Sequence, residues 1–356
     1  MFSHEVSVVP ERKLFVSIVV PVYNQVDFIA ACLASLFDQT YPLESYEIIL
    51  VDDGSSDGTT ERALEVVQGW HGAFRRVRNV HAGPACARNA GIRAARAEII
   101  AFIDSDCVAD ADWLERLVEA LLTSDSAGVG GPLINVARSG WISRYLDATA
   151  FFRHRVRHGQ VDYLLTANVA FRRSALLSIN GFSEQDGAWC EDADLSFRLL
   201  QAGYTLRLAA QGSVTHYGAP ASLRGLIRNL YRYGYGNTVL SRNWHNGRTP
   251  AMELLRHAGA FALSPALAIS YSGKVGPVWA IAFWPLIMLE HGAFVAGLIA
   301  GNASQRKQFR LTAPRHSAEP PSTGLIGESS QARGSSCQRH PGAAWAGDRP
   351  TIRRTD

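Results

Sequence analysis

Glu98-Ile99-Ile100-Ala101-Phe102-Ile103-Asp104-Ser105-Asp106 is the stretch on which the fold turns. An unbroken apolar run, without polar alternation, is the pattern of a strand buried on both faces. Two carboxylates follow it at once. Two more runs of the same kind lie upstream. Glu47-Ile48-Ile49-Leu50-Val51 stops at the turn formers Asp52-Asp53-Gly54-Ser55-Ser56-Asp57-Gly58. Val16-Ser17-Ile18-Val19-Val20-Pro21 stops at Val22-Tyr23-Asn24. Helical spacing separates them: Ile29, Leu33, Leu36 and Phe37 after the first run, 60–68 after the second, and the alanine- and arginine-rich 87–97 before the third. A weaker strand is predicted at 76–80. Strand, helix, strand, helix, strand is the order of an α/β chain with a mainly parallel sheet flanked by helices. Parallel strands put all three tips on one edge, and open α/β sheets bind ligands at the carboxyl ends of their strands, where strand order reverses.

The chemistry is expected at that edge. Asp104 and Asp106 project the same way and repel unless a cation is present. Hard oxygen ligands of this kind suit Mg2+ or Mn2+ bridging a substrate diphosphate; the competing reading is a turn with helix-capping aspartates. Asp53 and its neighbours can accept hydrogen bonds from a base edge or a ribose, or simply build a loop. Tyr23 offers a flat face near the same edge. Arg88, in Gly83-Pro84-Ala85-Cys86-Ala87-Arg88-Asn89-Ala90-Gly91, is expected at a helix start, where backbone N–H groups and a cation would face phosphate. Downstream, Trp189-Cys190-Glu191-Asp192-Ala193-Asp194 sets three carboxylates at the start of a predicted helix over 191–203. They favour the helix dipole, and one of them can deprotonate a hydroxyl. His216, after a predicted strand, is a candidate neutral metal ligand. A helix is predicted at 112–122 and a strand at 166–172, while 141–158 resists assignment.

Composition bounds the partners. The chain has 356 residues and a formal charge of +3. From Gly301 onward nine Lys/Arg face four Asp/Glu, so that segment carries +5 and the remainder −2. A weakly acidic body without an Arg/Lys cluster excludes a nucleic-acid binder. Five cysteines without a CxxC pair fit a reducing compartment rather than a disulfide framework or structural zinc. The first sixteen residues carry no continuous apolar core of a secretory signal, so the catalytic part is expected to face the cytosol. From 254 the character changes. Ala258–Tyr271 and Val275–Leu289 are apolar stretches of 14 and 15 residues, short of the about 20 that a spanning helix needs. A hairpin lying in or dipping into the membrane is expected over 254–300, with an apolar oligomer interface as the alternative. Residues 301–356, rich in Ser, Gly, Pro and Arg, are expected to form a disordered basic tail.

Taken in order, Ser17-Ile18-Val19-Val20-Pro21-Val22-Tyr23-Asn24, Val51-Asp52-Asp53-Gly54-Ser55-Ser56-Asp57-Gly58-Thr59, Ala87-Arg88-Asn89-Ala90-Gly91, Asp104-Ser105-Asp106 and Glu191-Asp192-Ala193-Asp194-Leu195 closely resemble the family 2 glycosyltransferases of GT-A fold, over roughly residues 14–220. The resemblance implies a GT-A domain over 14–225, a C-terminal helical region over 226–300, and inverting transfer of a sugar from a nucleoside diphosphate, most often UDP. On that analogy Pro21, Tyr23 and Asp53 hold the nucleoside and Asp104 lies near the ribose and the metal. Asp106 and His216 ligate Mn2+ or Mg2+, and Asp192 is the general base. Arg88 and the metal would stabilise the leaving diphosphate. The Q-x-x-R-W motif of processive relatives is missing after Asp192; Arg228-Asn229-Leu230-Tyr231-Arg232-Tyr233-Gly234-Tyr235-Gly236 stands there instead, which points to single-sugar transfer. The apolar C-terminal segment suggests a glycan or lipid-linked acceptor of the envelope, handled at the cytoplasmic face of the membrane. Two competitors remain. A sugar nucleotidyltransferase would open with a Gly-rich basic loop where Pro21-Val22-Tyr23-Asn24-Gln25 stands. A non-catalytic nucleotide-sugar binder is disfavoured by intact Asp104, Asp106 and Asp192.

Overall fold

The computed structural model describes residues 13–135, 141–149, 156–157, 159–184, 190–218, 222–243, 250–270 and 276–312. Its described residues fall into two compact units. The first comprises residues up to Ser139, Ala150–Ser183 and Glu191–Ala219; the second comprises Gly140–Thr149, Glu184–Cys190 and residues from Pro220 onward.

The three apolar runs become strands β1 (Val16–Val22), β2 (Tyr46–Asp52) and β4 (Ile99–Ile103), every residue of them buried. The fourth strand at this edge, β3, spans Ala73–Arg78. It lies a few residues earlier than its sequence pattern suggests, because its register on β2 pairs Ala73 with Glu47 and Arg78 with Asp52. Further strands are β5 (Cys107–Ala109), β6 (Gly128–Gly130), β7 (Leu133–Asn135), β8 (Val156–Arg157), β9 (Gln160–Val161), β10 (Asn168–Arg172), β11 (Leu206–Leu208) and β12 (Val214–His216). The main sheet runs β3-β2-β1-β4-β10-β6-β11-β9-β8, and β5-β12-β7 form a small second sheet. β1, β2, β3 and β4 are parallel, whereas β10 inserts antiparallel between β4 and β6.

Strand order reverses between β1 and β4, the place such sheets reserve for ligands. β1 pairs with β2 through Val22 but with β4 only through Val19. Pro21 sits where β1 has become an edge on the β4 side, the position in a sheet that tolerates a missing N–H. The β1–β4 pairing therefore ends just before the Asp104-Ser105-Asp106 tip.

Alternate residues of the central strands feed two cores. Ile18, Val20, Ile48, Leu50, Ala101 and Ile103 pack against α1 (Ile29–Phe37) and α4 (Trp113–Leu122). Val19, Ile49, Val51, Ile100 and Phe102 pack against α3 (Pro84–Ala94) and α7 (Glu191–Gln201). α3 approaches β1 closely: a Cβ on Gly91 would lie 2.3 Å from Val19 Cγ1. Helices α2 (Thr59–Val67) and α6 (Arg173–Ser178) complete this unit.

The second unit holds α5 (Trp141–Thr149), α8 (Leu223–Asn243), α9 (Pro250–Ala262), α10 (Ser264–Ser270) and α11 (Pro277–Thr312). The segment 254–300, expected as a helical hairpin, is helical on both sides of residues 271–275. Its first arm is two short helices, and its second is one helix of 36 residues. Glu290 and His291 do not interrupt that helix. Glu290 accepts a hydrogen bond from the Tyr145 hydroxyl, and His291 Nδ1 lies 2.9 Å from His257 Nδ1. Nor does Gly301 end it, although the sequence pattern breaks there. Gly297 and Gly301 bring α11 against α8 at backbone distance, where Cβ atoms would lie 2.0 Å from the Tyr231 carbonyl oxygen and 2.4 Å from Thr238 Oγ1. Small residues four apart allow such contact. Tail residues 313–356 lie outside the described residues.

Candidate active site

The β1 and β2 tips are clasped together by their own polar groups. Asn24 bonds two serines across the loops: its N–H donates to Ser55 Oγ (3.1 Å), and its Oδ1 accepts from Ser56 N–H (2.9 Å). Asp52 accepts from Ser55 N–H (2.8 Å) and from the Thr60 hydroxyl (2.6 Å). Asp57 accepts from Val26 N–H (3.2 Å) and Thr59 N–H (3.0 Å). The positive φ required at Gly54 (+83°) and Gly58 (+91°) explains the glycines of this loop.

Asp53 is likewise engaged. Its carboxylate accepts from His81 Nδ1 (2.9 Å), Gly83 N–H (2.8 Å) and Ala82 N–H (3.2 Å). Burial raises its pKa, and these bonds oppose the rise. The bond to Asp53 places the proton of His81 on Nδ1. The imidazole also stacks on Tyr23, with ring centroids 4.0 Å apart and 17° between planes. His81 was invisible to sequence reasoning, because its two partners come from the loops after β1 and β2.

Arg88 departs from expectation. α3 starts at Pro84, a residue favoured in the first helical turn, so Arg88 stands a turn further in and is 4% exposed. Its guanidinium reaches Asp104 Oδ1 (2.8 Å) and Glu191 Oε1 (2.7 Å). Burial works to lower its pKa, but the two carboxylates outweigh this and raise it. The sequence pattern suggests a cation facing phosphate; the structure instead has a buried cross-link between two acidic elements.

The three carboxylates opening α7 differ in their partners. Glu191 is bound to Arg88, and Asp194 to Arg198 (2.8 Å). Asp192 has no salt bridge among the described residues and accepts only Ala193 N–H (2.8 Å). Burial, then the charges of Glu191 and Asp104, push its carboxyl up to about 7.

Asp106 faces His216, with Oδ1 and Nε2 3.6 Å apart. Cys107 Sγ lies 3.8 Å from the same Oδ1. Burial alone would raise the Asp106 carboxyl and depress the His216 imidazole; their mutual attraction wins on both sides, lowering the first and raising the second. Gly218 leaves a cradle here: a Cβ would lie 1.9 Å from Asp106 Oδ2 and 3.1 Å from His216 Nε2. All eight residues singled out in the sequence lie in the first unit.

The sequence profile described as "Glycosyl transferase family 2" matches residues 17–179, and that described as "Glycosyl transferase family group 2" matches residues 99–299, more than half of the chain. The chain is a family 2 glycosyltransferase. This glycosyltransferase is 29% identical over 228 residues to the Glycosyltransferase AglE of Haloferax volcanii, covering 62% of the chain and 72% of the relative. It is 30% identical over 209 residues to the Pre-mycofactocin glycosyltransferase of Mycobacterium tuberculosis, covering 56% of the chain but 42% of that relative. Among solved structures it resembles the mannosyltransferase PcManGT from Pyrobaculum calidifontis, solved in complex with GDP-Man and Mn2+, with a TM-score of 0.59 at 18% identity over 83% of this chain and 89% of that one. At that identity the likeness bears on the fold, which is GT-A. Of the aromatic residues in and near the unassigned segment 141–158, Tyr145 is buried and Trp141 exposed, while Phe151, Phe152 and Trp189 lie outside the described residues.

Proposed function

We propose that the enzyme transfers a single sugar, with inversion, from a nucleoside-diphosphate sugar, UDP-linked in the first instance, to a hydroxyl of a glycan or lipid-linked acceptor in envelope or extracellular polysaccharide synthesis. The observation that carries this reading is Asp192, a carboxyl raised to about 7 beside the Arg88–Asp104–Glu191 cross-link. A group poised near neutrality is matched to general-base work. Asp192 takes the proton of the acceptor hydroxyl, whose oxygen attacks the anomeric carbon. The bond from that carbon to the diphosphate breaks on the opposite face, and its electron pair leaves with the diphosphate.

Pro21, Tyr23 and Asp53 take the nucleoside side of the β1/β4 edge, Asp53 acting through His81 and the 82–83 turn that it holds. Asp104, fixed by Arg88, takes the ribose side. Arg88 serves as a positioning residue rather than a direct phosphate ligand. The closeness of Asp106, Cys107 and His216, whose ligand atoms all lie within 4.8 Å of one another, and the cradle left by Gly218 fit a divalent cation, Mn2+ or Mg2+, held by Asp106 and His216. Such an ion would offset charge on the leaving diphosphate.

A panel of nucleotide sugars assayed for Mn2+- or Mg2+-dependent donor binding and hydrolysis tests the reading, with Asp106→Asn and Asp192→Asn beside the parent. Equal metal-dependent binding by the Asp106 variant would remove it as a ligand.

We further propose that residues 254–300 attach the enzyme to the cytoplasmic face of a membrane. One helix, Pro277–Ser304, has the length and composition to cross one. Leu255, Ile269, Val278 and Ile281 are 68–77% exposed, an apolar display that needs a cover. A Val278→Glu/Ile281→Glu variant is expected to leave the membrane pellet for the supernatant; a variant that stays pelleted but loses subunit mass would favour an oligomer interface.

A further inference from the structure

Resting on the membrane attachment proposed above, we propose that α11 lies in the plane of one leaflet rather than crossing the bilayer. Its apolar stripe then faces the acyl chains, and the arginines of α8 bind the phosphates of anionic lipids.

α11 is long enough to cross a bilayer, but its two sides differ. Val278, Ile281, Pro285, Leu289, Ala296 and Ile299 are exposed. Steps of three, four or seven residues separate them, which draws a single stripe along the helix. The stripe does not fade with distance: Val278 is 77% exposed and Ile299, about six turns on, still 57%. Phe294, Leu298 and the two close-packed glycines between and after them fall on the opposite side, at about 100° per residue. α8 closes in there, since a Cβ on Gly234 would collide with the Phe294 carbonyl oxygen. One side of α11 is thus covered by a helix and the other by nothing among the described residues of its unit.

The ionisable groups of this unit argue against crossing. Glu290 and His291 stand at the midpoint of Pro277–Ser304 and meet Tyr145 and His257. Glu253, which accepts from Arg256 (2.9 Å), is buried beside them on α9. A crossing helix would carry this group to the centre of the bilayer, where charge is most costly. A helix in the plane keeps it at the interface.

α8 supplies the second level. It carries four arginines and no acidic residue. Arg224, Arg228 and Arg232 follow at intervals of four, on one side of the helix. Leu226 and Leu230, two residues out of step with them, are buried on the other. Packed helix axes lie about 8–10 Å apart, and the headgroup layer is about 5–8 Å thick. With α11 at the acyl boundary, α8 therefore stands level with the phosphates. Burial and the neighbouring Arg228 charge lower the pKa of Arg232; a phosphate beside the pair opposes both effects. An apolar face below and arginines above is the layout of an interfacial, not a spanning, helix.

The first test uses the full chain with an epitope after Asp356, in sealed membrane vesicles of both orientations. Added protease is expected to remove the epitope and to digest the first unit in the same vesicle population. An epitope protected where the first unit is digested means that α11 crosses, and overturns the proposal. The second test is binding to phosphatidylcholine vesicles with and without phosphatidylglycerol. Arg224→Gln/Arg228→Gln/Arg232→Gln is expected to bind the anionic vesicles about 100-fold more weakly, about fivefold per arginine, and to match the parent on the neutral ones. Equal binding to the anionic vesicles removes the arginines as phosphate ligands. Should that variant not fold, the parent decides: its binding to anionic vesicles must weaken as salt is raised, and salt-independent binding counts against the arginines in the same way. A parent chain that stays out of every vesicle and every membrane pellet overturns the attachment itself.

Discussion

The acidic tips of β2 and β4 follow buried apolar strands of the same kind, yet their carboxylates end in opposite states. Those of Asp52, Asp53 and Asp57 are taken up by backbone N–H groups, hydroxyls and one imidazole. They build the loop. Asp104 and Asp106 instead face a guanidinium and an imidazole, and Asp192 nearby makes no salt bridge among the described residues. An Asp cluster after a strand is therefore one signal with two outcomes, decided by whether the surrounding turn supplies donors. At β2 it does, through residues 55, 59, 60 and 81–83. Past β4 the chain runs straight into β5, and the side chains must find partners across the fold.

The sharpest way to break this comparison is Asp192→Asn. A loss of about 10²- to 10⁴-fold in turnover is expected, with donor binding by calorimetry little changed; near-normal turnover would return Asp192 to the structural class. The same carboxyl sets a pH limb. With its pKa raised to about 7, the base form grows as pH rises, so kcat should climb about tenfold per unit below 7 and level off above it. A profile already flat from pH 5.5 upward would contradict this. Arg88→Ala comes next. It leaves Asp104 and Glu191 without their buried cation, and chemical denaturation should show about 3 kcal/mol of lost stability. By contrast, Asp57→Ala at the β2 tip should cost about 1 kcal/mol, as capping losses do, with turnover intact; a large turnover defect would erase the distinction between the tips. An effect of similar size is expected for His81→Ala. Loss of a ring stacked on Tyr23 is worth about 0.5–1.5 kcal/mol, so UDP affinity should fall about two- to tenfold by titration.

Much of the fold could be read in the chain because its signals are local. Buried parallel strands announce themselves as apolar runs, and Pro21, Asp52 and Asp104 mark their ends. The reversal of strand order at β1 follows once those runs are placed side by side. What escaped was carried by partners far apart. The antiparallel insertion of β10 beside β4 has no local signature. Arg88 finds Glu191 across 103 positions, and His81 meets Asp53 across 28. Its role depends on a register, not on a motif. Glu290, His291 and Gly301 look like helix breakers until Tyr145, His257 and Thr238 are known to meet them. Sequence periodicity sees the face a helix must bury, but not which neighbour makes an ionisable group acceptable there.

The Arg88 cross-link also imposes an order on the making of the protein. Asp104 follows Arg88 by 16 residues, whereas Glu191 follows by 103. At about 5–20 residues per second of synthesis, Arg88 waits roughly 5–20 s for its second carboxylate. Through that interval the first four strands exist with their central guanidinium only half neutralised. The β4 tip is thus completed late, by the same helix that delivers Asp192, so the cross-link and the proposed base are finished in one step.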